Sequence, residues 1–295
     1  MTETRKWPRV VILGHTGFMG RALHRLLERE SEVIGHSFGS MDLCRPEALK
    51  PLADVVDEDT AVILMAARTP DKGDNWANCE ANIRMAGNVC EALRARPPGK
   101  FVYLSSDGVY PMRDDPITEA TPLNPEDTLY ALAKHTGECL SRKLLGGTGV
   151  PVLILRPTTV FGPGDTHKSY GPNRFARTLA ADREIRIFGQ GEETRDHLYI
   201  DDAVRLIERL VSSGATGTYN LASGASRSFS EVVEAFRKIA PYDFSVTLAP
   251  RKGEITHRRY DVSRLTRQVP GFAFTDFDTG LRATLEFFSR STGSK

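Results

Sequence analysis

Short apolar runs alternate with longer amphipathic stretches through the first half of the chain. Arg9–Leu13, Glu32–Gly35, Ala61–Ala66, Phe101–Ser105 and Val152–Arg156 each lie between turn or charged residues. They read as strands buried in a parallel sheet. Helical stripes fill the gaps: Phe18–Arg29 carries Leu23, Leu26 and Leu27, and Ala81–Arg94 carries Ile83, Met85, Val89 and Leu93. This alternation predicts an α/β fold, a doubly wound parallel sheet with right-handed crossovers. After Arg156 the rhythm loosens. Phe161-Gly162-Pro163-Gly164-Asp165 and Tyr170-Gly171-Pro172-Asn173 form loops, and shorter elements follow. Residues 1–170 are expected to form the main domain. Residues 171–295 are expected to form mainly a smaller C-terminal lobe, with segments returning to the core. Pro97-Pro98-Gly99 reads as a turn and Thr292–Lys295 as a frayed tail.

The 295 residues carry a formal net charge of +1, with 40% hydrophobic and 26% charged residues. That balance fits a soluble globular enzyme and gives no basic face for nucleic acid or a membrane surface. Cys44, Cys79, Cys90 and Cys139 form no CxxC pair, so reduced thiols are expected rather than disulfides or zinc. Met1–Arg9 is polar, and Val10-Val11-Ile12-Leu13 is too short for a signal core or a membrane span. A cytoplasmic protein is the expectation. His15, His135, His167 and His197 are scattered, and no metal is expected. Asp201-Asp202 precede the amphipathic Ala203–Leu210 and read as helix caps.

Gly14-His15-Thr16-Gly17-Phe18-Met19-Gly20 follows the first strand directly and opens the first helix. Gly14 permits a tight turn, Gly17 lets backbone approach a pyrophosphate, and Gly20 allows close helix–strand packing. Thr16, Phe18 and Met19 complete the turn, whose helix N-terminus offers unpaired N–H groups and a positive dipole end. A ribose-binding acid is usual at the end of the second strand. Here His36-Ser37 stand there instead, so repulsion against a 2′-phosphate is absent. NAD or NADP is therefore the expected cofactor, with a slight lean to NADP. Asp42, with Leu43 beside it, is placed to contact the adenine.

Tyr130-Ala131-Leu132-Ala133-Lys134 puts a phenol and an ammonium one helical turn apart. The ammonium is expected to lower the phenol's pKa and make Tyr130 a general acid/base. Ser106 follows a strand at its C-terminal end, where ligands of open parallel sheets sit. It can hydrogen-bond the reacting oxygen while Tyr130 moves the proton.

With these motifs the chain resembles the extended short-chain dehydrogenase/reductases, in their nucleotide-sugar epimerase/dehydratase branch. The resemblance runs from about Val10 to Phe288. It includes the glycine turn, Met65-Ala66-Ala67, Asn82, Ser105-Ser106-Asp107-Gly108-Val109-Tyr110, the YxxxK pair, Arg156-Pro157 with Val160-Phe161-Gly162-Pro163, and Arg195-Asp196-His197-Leu198-Tyr199-Ile200-Asp201-Asp202. It implies a Rossmann domain with a substrate-binding lobe and a catalytic Ser106, Tyr130 and Lys134. It also implies that Asn82 supports the lysine through a water and that Ala66 and Ala67 lie along the cofactor. The implied substrate is a nucleotide diphosphate sugar. Arg195 and Arg251 (in Arg251-Lys252-Gly253-Glu254) fit its phosphate-binding arginines, and Asn173 and Phe188 fit the diphosphate and base positions. Helix pairing into a homodimer is common in the family.

Departures narrow the chemistry. Members that dehydrate or decarboxylate their sugar usually carry a glutamate just after the catalytic hydroxyl. Here Asp107 is followed by Gly108, so the second acid for elimination is missing. Thr159 replaces a common substrate-binding asparagine, and Tyr110-Pro111 replaces Tyr-Gly. The expected reaction is 4-epimerisation of a nucleotide diphosphate hexose through a 4-keto intermediate, favoured by the Arg195, Phe188 and Arg251 contexts. The alternative is NADPH-dependent reduction of a 4-keto-6-deoxy sugar, favoured by Asp107 and by His36-Ser37. A non-catalytic NAD(P)-binding regulator is a third reading, against which the intact Ser106, Tyr130 and Lys134 argue.

Overall fold

The computed structural model describes residues 5–292 except 114, 168, 169 and 252. Residues 1–4 and 293–295, which include most of the expected frayed tail, lie outside the described residues. The first half runs β1 (Arg9–Leu13), α1 (Phe18–Leu27), β2 (Glu32–His36), α2 (Lys50–Val55), β3 (Thr60–Leu64), α3 (Trp76–Ala95), β4 (Lys100–Leu104), α4 (Leu129–Leu145), β5 (Val152–Pro157) and β6 (Thr159–Phe161). The second half runs α5 (Pro172–Asp182), β7 (Glu184–Phe188), β8 (Thr194–Tyr199), α6 (Ile200–Ser212), β9 (Gly217–Leu221), β10 (Ser226–Ser228), α7 (Phe229–Ile239), β11 (Ser245–Ala249), α8 (Ser263–Gln268) and α9 (Phe277–Thr292).

Six strands form a parallel sheet in the order β2-β1-β3-β4-β5-β9. All five strands expected from the apolar runs are present, β1 with the expected bounds and the others with one or both ends moved by one or two residues. Residues of β1, β3 and β4 are buried on both faces, which is why they read as continuous apolar runs. Alternate positions along β1 feed two cores. Val10 and Ile12 pack with Leu23, Val204 and Ile207 on one face, and Val11 and Leu13 with Leu52, Val89 and Leu93 on the other. The strand order reverses between β1 and β3, so a crevice opens beyond their carboxyl ends.

The sequence pattern and the helices disagree at three places. Helix α1 stops at Leu27, where Glu28 N–H closes on His24 O, rather than at Arg29. Helix α3 starts at Trp76, five residues before its apolar stripe, because Asn75 accepts from Asn78 N–H and caps it. Its first two residues are exposed, Trp76 by 63%, and Cys79 alone is buried before the stripe, too little to make a burial pattern. Asp201 and Asp202 are not caps, since α6 begins at Ile200 behind Tyr199 with no side-chain cap. Asp202 instead turns inward to Thr275 and Arg205.

From beyond residue 171, α6 packs on α1 and β9 joins the large sheet. The remainder, joined by β6 from the first half, forms two small sheets, β10-β8-β6 and β11-β7. They enclose a separate core of Phe175, Leu179, Ile185, Ile187, Phe229, Phe236, Leu281 and Phe288. At the expected Pro97–Gly99 turn the chain bends at Gly99, with no turn hydrogen bond among the described residues, and Gly99 N–H donates to Asp57 O. All four cysteines are free. Among the described residues no helix is long and apolar enough to cross a membrane, and no cluster of acids, histidines and cysteines could hold a metal.

Candidate active site

A cleft of about 960 Å³ lies beyond the carboxyl ends of β1, β3, β4 and β5. Its floor is the glycine turn. Gly14 has φ +101°, and a β-carbon there would sit 2.6 Å from Ala66 N, so the ends of β1 and β3 meet only because the position is glycine. A β-carbon on Gly20 would sit 2.3 Å from Gly14 O, which fixes α1 against the turn. Helix α1 has no side-chain cap and no acid in its first turn. Its free N–H groups and positive dipole end therefore face the cleft beside Gly14, Thr16, Gly17, Phe18, Met19 and Gly20, and fit a dinucleotide's pyrophosphate.

Other expected cofactor residues divide. Ser37, Asp42, Ala66 and Ala67 line the cleft, and so do Phe38 and Arg68, which the sequence did not single out. His36 and Leu43 are not among the lining residues. His36 holds the turn through its carbonyl, which accepts from Gly14 N–H at 2.8 Å, and burial followed by the neighbouring charge of His15 lowers its pKa. Leu43 belongs to the core, and its carbonyl accepts from Asn88. Asn82 is bonded at both ends of its amide to the backbone of Arg68, at 2.7 and 3.0 Å, so it fixes the loop after β3.

Ser106, Tyr130 and Lys134 share this cleft. Ser106 leaves β4 and accepts from Gly108 N–H at 3.1 Å, which starts a tight 3₁₀ turn and leaves its own proton for the phenol. Thr128 caps α4 on Ala131 N–H, and Asp74 accepts from Leu129 and Tyr130 N–H, so Tyr130 sits in a fixed first turn. Lys134, one turn on, is 3% exposed and donates to Leu104 O at 2.7 Å.

The electrostatics correct one expectation. Tyr130 lies above its ordinary pKa: burial raises it most, Asp107's charge adds to this, and a hydrogen bond with Ser106 offsets part. The ammonium stands 5.9 Å from the phenol ring centroid and is committed to Leu104 O. It does not overcome burial. Burial also lowers Lys134 to about 8, against a raising effect of Glu138. Bound NAD(P) supplies the hydride-accepting carbon and, when oxidised, a positive charge that favours phenolate. The chain's own groups hold a proton at Tyr130 Oη and orient it through Ser106.

A buried network lies under these groups. Glu138 accepts from Ser105 at 2.6 Å and from Arg156 through two nitrogens at 2.7 and 2.6 Å. Arg156 also donates to Tyr110 Oη, which donates to Asn220. Asp107 is held by Tyr260 at 2.8 Å and Arg258 at 3.2 Å, and Arg258 donates to Asp107 O and Tyr110 O as well. Nothing local in the sequence marks Arg258 and Tyr260, which meet a turn 151 and 153 residues earlier. Glu138 had a signal: it repeats the YxxxK spacing one turn further along the same helix face.

The substrate-side residues are spread over the lobe. Asp107 and Thr159 line the cleft. Arg195 lies on β8 and bonds Thr194 O and Thr256. Asn173 receives Gly162 N–H and donates to Val160 O, so its amide holds the loop after β6. Phe188 is 39% exposed beside the cleft residue Tyr170, ring centroids 5.3 Å apart. Arg251 is captured by two carboxylates, Glu192 and Glu193, the latter at 2.9 Å.

The model of the NAD dependent epimerase/dehydratase family matches residues 10–222. The chain belongs to that family. It is an enzyme that uses NAD or NADP. It is 28% identical to a dTDP-glucose 4,6-dehydratase of Streptomyces griseus over 88% of this chain and 80% of the relative. It is 29% identical to a UDP-glucose 4-epimerase of Mycolicibacterium smegmatis over 95% of this chain and 98% of the relative. Among solved structures, RMD from Pseudomonas aeruginosa complexed with NADPH superimposes with a TM-score of 0.85 at 25% identity, covering 96% of this chain and 99% of that one. Its activity is that of the family in general, NAD(P)-dependent chemistry on nucleotide sugars.

Proposed function

We propose that this enzyme epimerises a nucleoside diphosphate hexose at C4 through a 4-keto intermediate. The observation that carries the reading is the gathering of Ser106, Tyr130 and Lys134 around one cleft with the glycine turn. Tyr130, as the phenolate that an oxidised nicotinamide's positive charge would favour, takes the proton of a sugar hydroxyl while the hydride of the same carbon would pass to that nicotinamide. Tyr130 returns the proton, and the hydride would return from the nicotinamide, once the ketone has presented its other face. Asp107 is tied to Arg258 and Tyr260 rather than free to abstract a second proton, which argues against elimination. The likeness to the M. smegmatis 4-epimerase supports the same reading.

A second reading, NADPH-dependent reduction of a 4-keto sugar, is favoured by the β2 end. Ser37 and Phe38 line the cleft there and no carboxylate opposes a 2′-phosphate. The solved relative that holds NADPH supports it too. The cytoplasm, where thiols stay reduced, is the expected compartment.

One incubation separates the readings. Purified chain is given UDP-, dTDP- and GDP-hexoses and the corresponding 4-keto sugars, each with NAD or NADPH, and products are followed by NMR. Interconversion of 4-epimers without net cofactor change supports the first reading. Consumption of NADPH equal to product formed replaces it with the second. No turnover of any nucleotide sugar refutes both.

A further inference from the structure

On the lobe sheet, Arg227 of β10 stands directly opposite Arg195 of β8. Opposed positions of an antiparallel pair share a face with β-carbons about 5 Å apart, and like charges placed there repel. Among the described residues neither guanidinium is in an ion pair. Arg195 directs its donors to Thr194 O and Thr256, while Arg227 donates to Ala225 O and lies 4.1 Å from the Phe277 ring centroid. Two residues along β8 and on the same face, His197 is 3% exposed, and among the described residues neither of its ring nitrogens has a hydrogen-bond partner.

Burial, and then the charges of Arg227 and Arg195, push His197 down to about 3, so its ring is neutral. A neutral imidazole offers one N–H and one lone pair, and here both are unmet. Buried polar groups almost always find a partner, so an unmatched one calls for a specific cause such as a ligand. This face thus combines two guanidiniums that no carboxylate among the described residues pairs directly, though Glu193 and Asp107 lie near Arg195 and Glu231 near Arg227, with an unmet buried donor. It also adjoins the cleft. Thr159, a cleft residue, is the register partner of His197 on β6. Gly171 follows the cleft residue Tyr170, and a β-carbon on it would come 3.2 Å from His197 Cε1.

We propose that Arg195, Arg227 and His197 form an anion subsite for the diphosphate of the sugar nucleotide, with Arg227 rather than Arg251 as the second guanidinium. The inference rests on the nucleotide-sugar reading above and changes which residue completes the clamp. Two forked guanidiniums across one strand pair can share a diphosphate's oxygens and remove their own repulsion in doing so. Arg251 already has two carboxylates to answer its charge.

The test compares the wild type with Arg227→Gln and Arg195→Gln in the full chain. Calorimetry gives Kd for UDP, dTDP, GDP and inorganic pyrophosphate, with NADH as the control ligand. Loss of one charge-assisted contact should weaken the preferred nucleoside diphosphate about tenfold to a hundredfold in each variant. NADH affinity should not change. Pyrophosphate should bind less tightly than the preferred nucleotide yet lose affinity by a similar factor, because the subsite reads phosphate and not the base. Relief of repulsion should also raise the ligand-free Tm of Arg227→Gln. Nucleotide affinity lost in Arg195→Gln but kept in Arg227→Gln would overturn the subsite and leave the nucleotide-sugar reading intact. A lower ligand-free Tm with unchanged affinities would make Arg227 only a packing partner of Phe277. Failure of the wild type to bind any nucleoside diphosphate would overturn both.

Discussion

Glu138→Gln tests whether the buried charge network beneath the cleft is held together by that one carboxylate. Glu138 is fully buried, and Arg156, 3% exposed, has it as its forked partner at 2.7 and 2.6 Å. Burial alone would raise the Glu138 carboxyl, yet the hydrogen bonds and charge of Arg156, with help from Ser105 and Arg142, hold it below its ordinary range. Glutamine keeps the shape and can still accept from Ser105, so the change isolates the charge. It leaves Arg156 buried without a counter-ion, which costs about 3–5 kcal/mol when one partner of a buried pair is removed. At about 2–4 °C per kcal/mol for a chain somewhat smaller than this one, Tm should fall by about 6–20 °C. Urea unfolding at neutral pH gives the free energy, and Glu138→Leu with Arg156→Met supplies the second arm. Replacing both charges by apolar groups should recover most of the loss, since paired buried charges are often matched by hydrophobic packing. A loss below about 1 kcal/mol in Glu138→Gln, the scale of an exposed pair, would refute the argument. So would a double variant less stable than the single one.

Three further outcomes are expected. Tyr130→Phe removes the phenol that shares the cleft with Ser106, so turnover should fall about 10²–10⁴-fold, the scale of a lost general acid/base, with NADH titration unchanged; near-normal turnover would end the assignment. Ser37→Asp places a charge at the acid-free end of β2 and should weaken NADP more than NAD, and a wild type that binds NAD at least about tenfold better would contradict the lean to NADP. Lys100 is buried, caps α6 through Leu210 O and Val211 O, and is lowered by burial to about 8 from its ordinary 10.5. Between those values the unfolded chain holds a proton that the folded chain has released, so stability should rise with pH; relative to Lys100→Met, a flat difference from pH 7 to 10 would show that the shift is absent.

What could be read from the chain follows from the range over which each signal acts. β1 and β3 are buried on both faces, so a continuous apolar run marks them, although β3 starts one residue before its run and ends two residues short of it. The three-residue strands β6 and β10 are too short for any period, and the exposed start of α3 announces itself only through the cap at Asn75. Tyr130 and Lys134 were legible because one helix turn sets their spacing, and Ser106 because it ends an apolar run. The partners that tune them were not. Burial, which outweighs the ammonium at Tyr130, is a property of the packed cleft, and the Arg258–Asp107 contact joins segments that only folding brings together.

The same limit decides how the arginines should be tested. Context marked Arg195 and Arg251 alike, because a motif records residue type and not the company a side chain keeps. Among the described residues the hydrogen bonds of Arg195 go to neutral oxygens, with Glu193 and Asp107 acting on it only at longer range, whereas Arg251 is held directly by Glu192 and Glu193. A guanidinium whose charge is already answered by two carboxylates has little left for a diphosphate, and releasing it would expose both acids to the same phosphates. Arg195→Ala should therefore raise the substrate's KM steeply, by about a hundredfold or more if the contact is desolvated. Arg251→Ala should raise it by less than about tenfold, because a partly exposed ion pair contributes little to binding, and NADH affinity should hold in both. Steady-state kinetics on the nucleotide sugar identified by the product screen gives the comparison. Equal rises in KM would mean that substrate draws Arg251 away from its carboxylates, and the free-chain pairing would then be a resting contact that binding breaks.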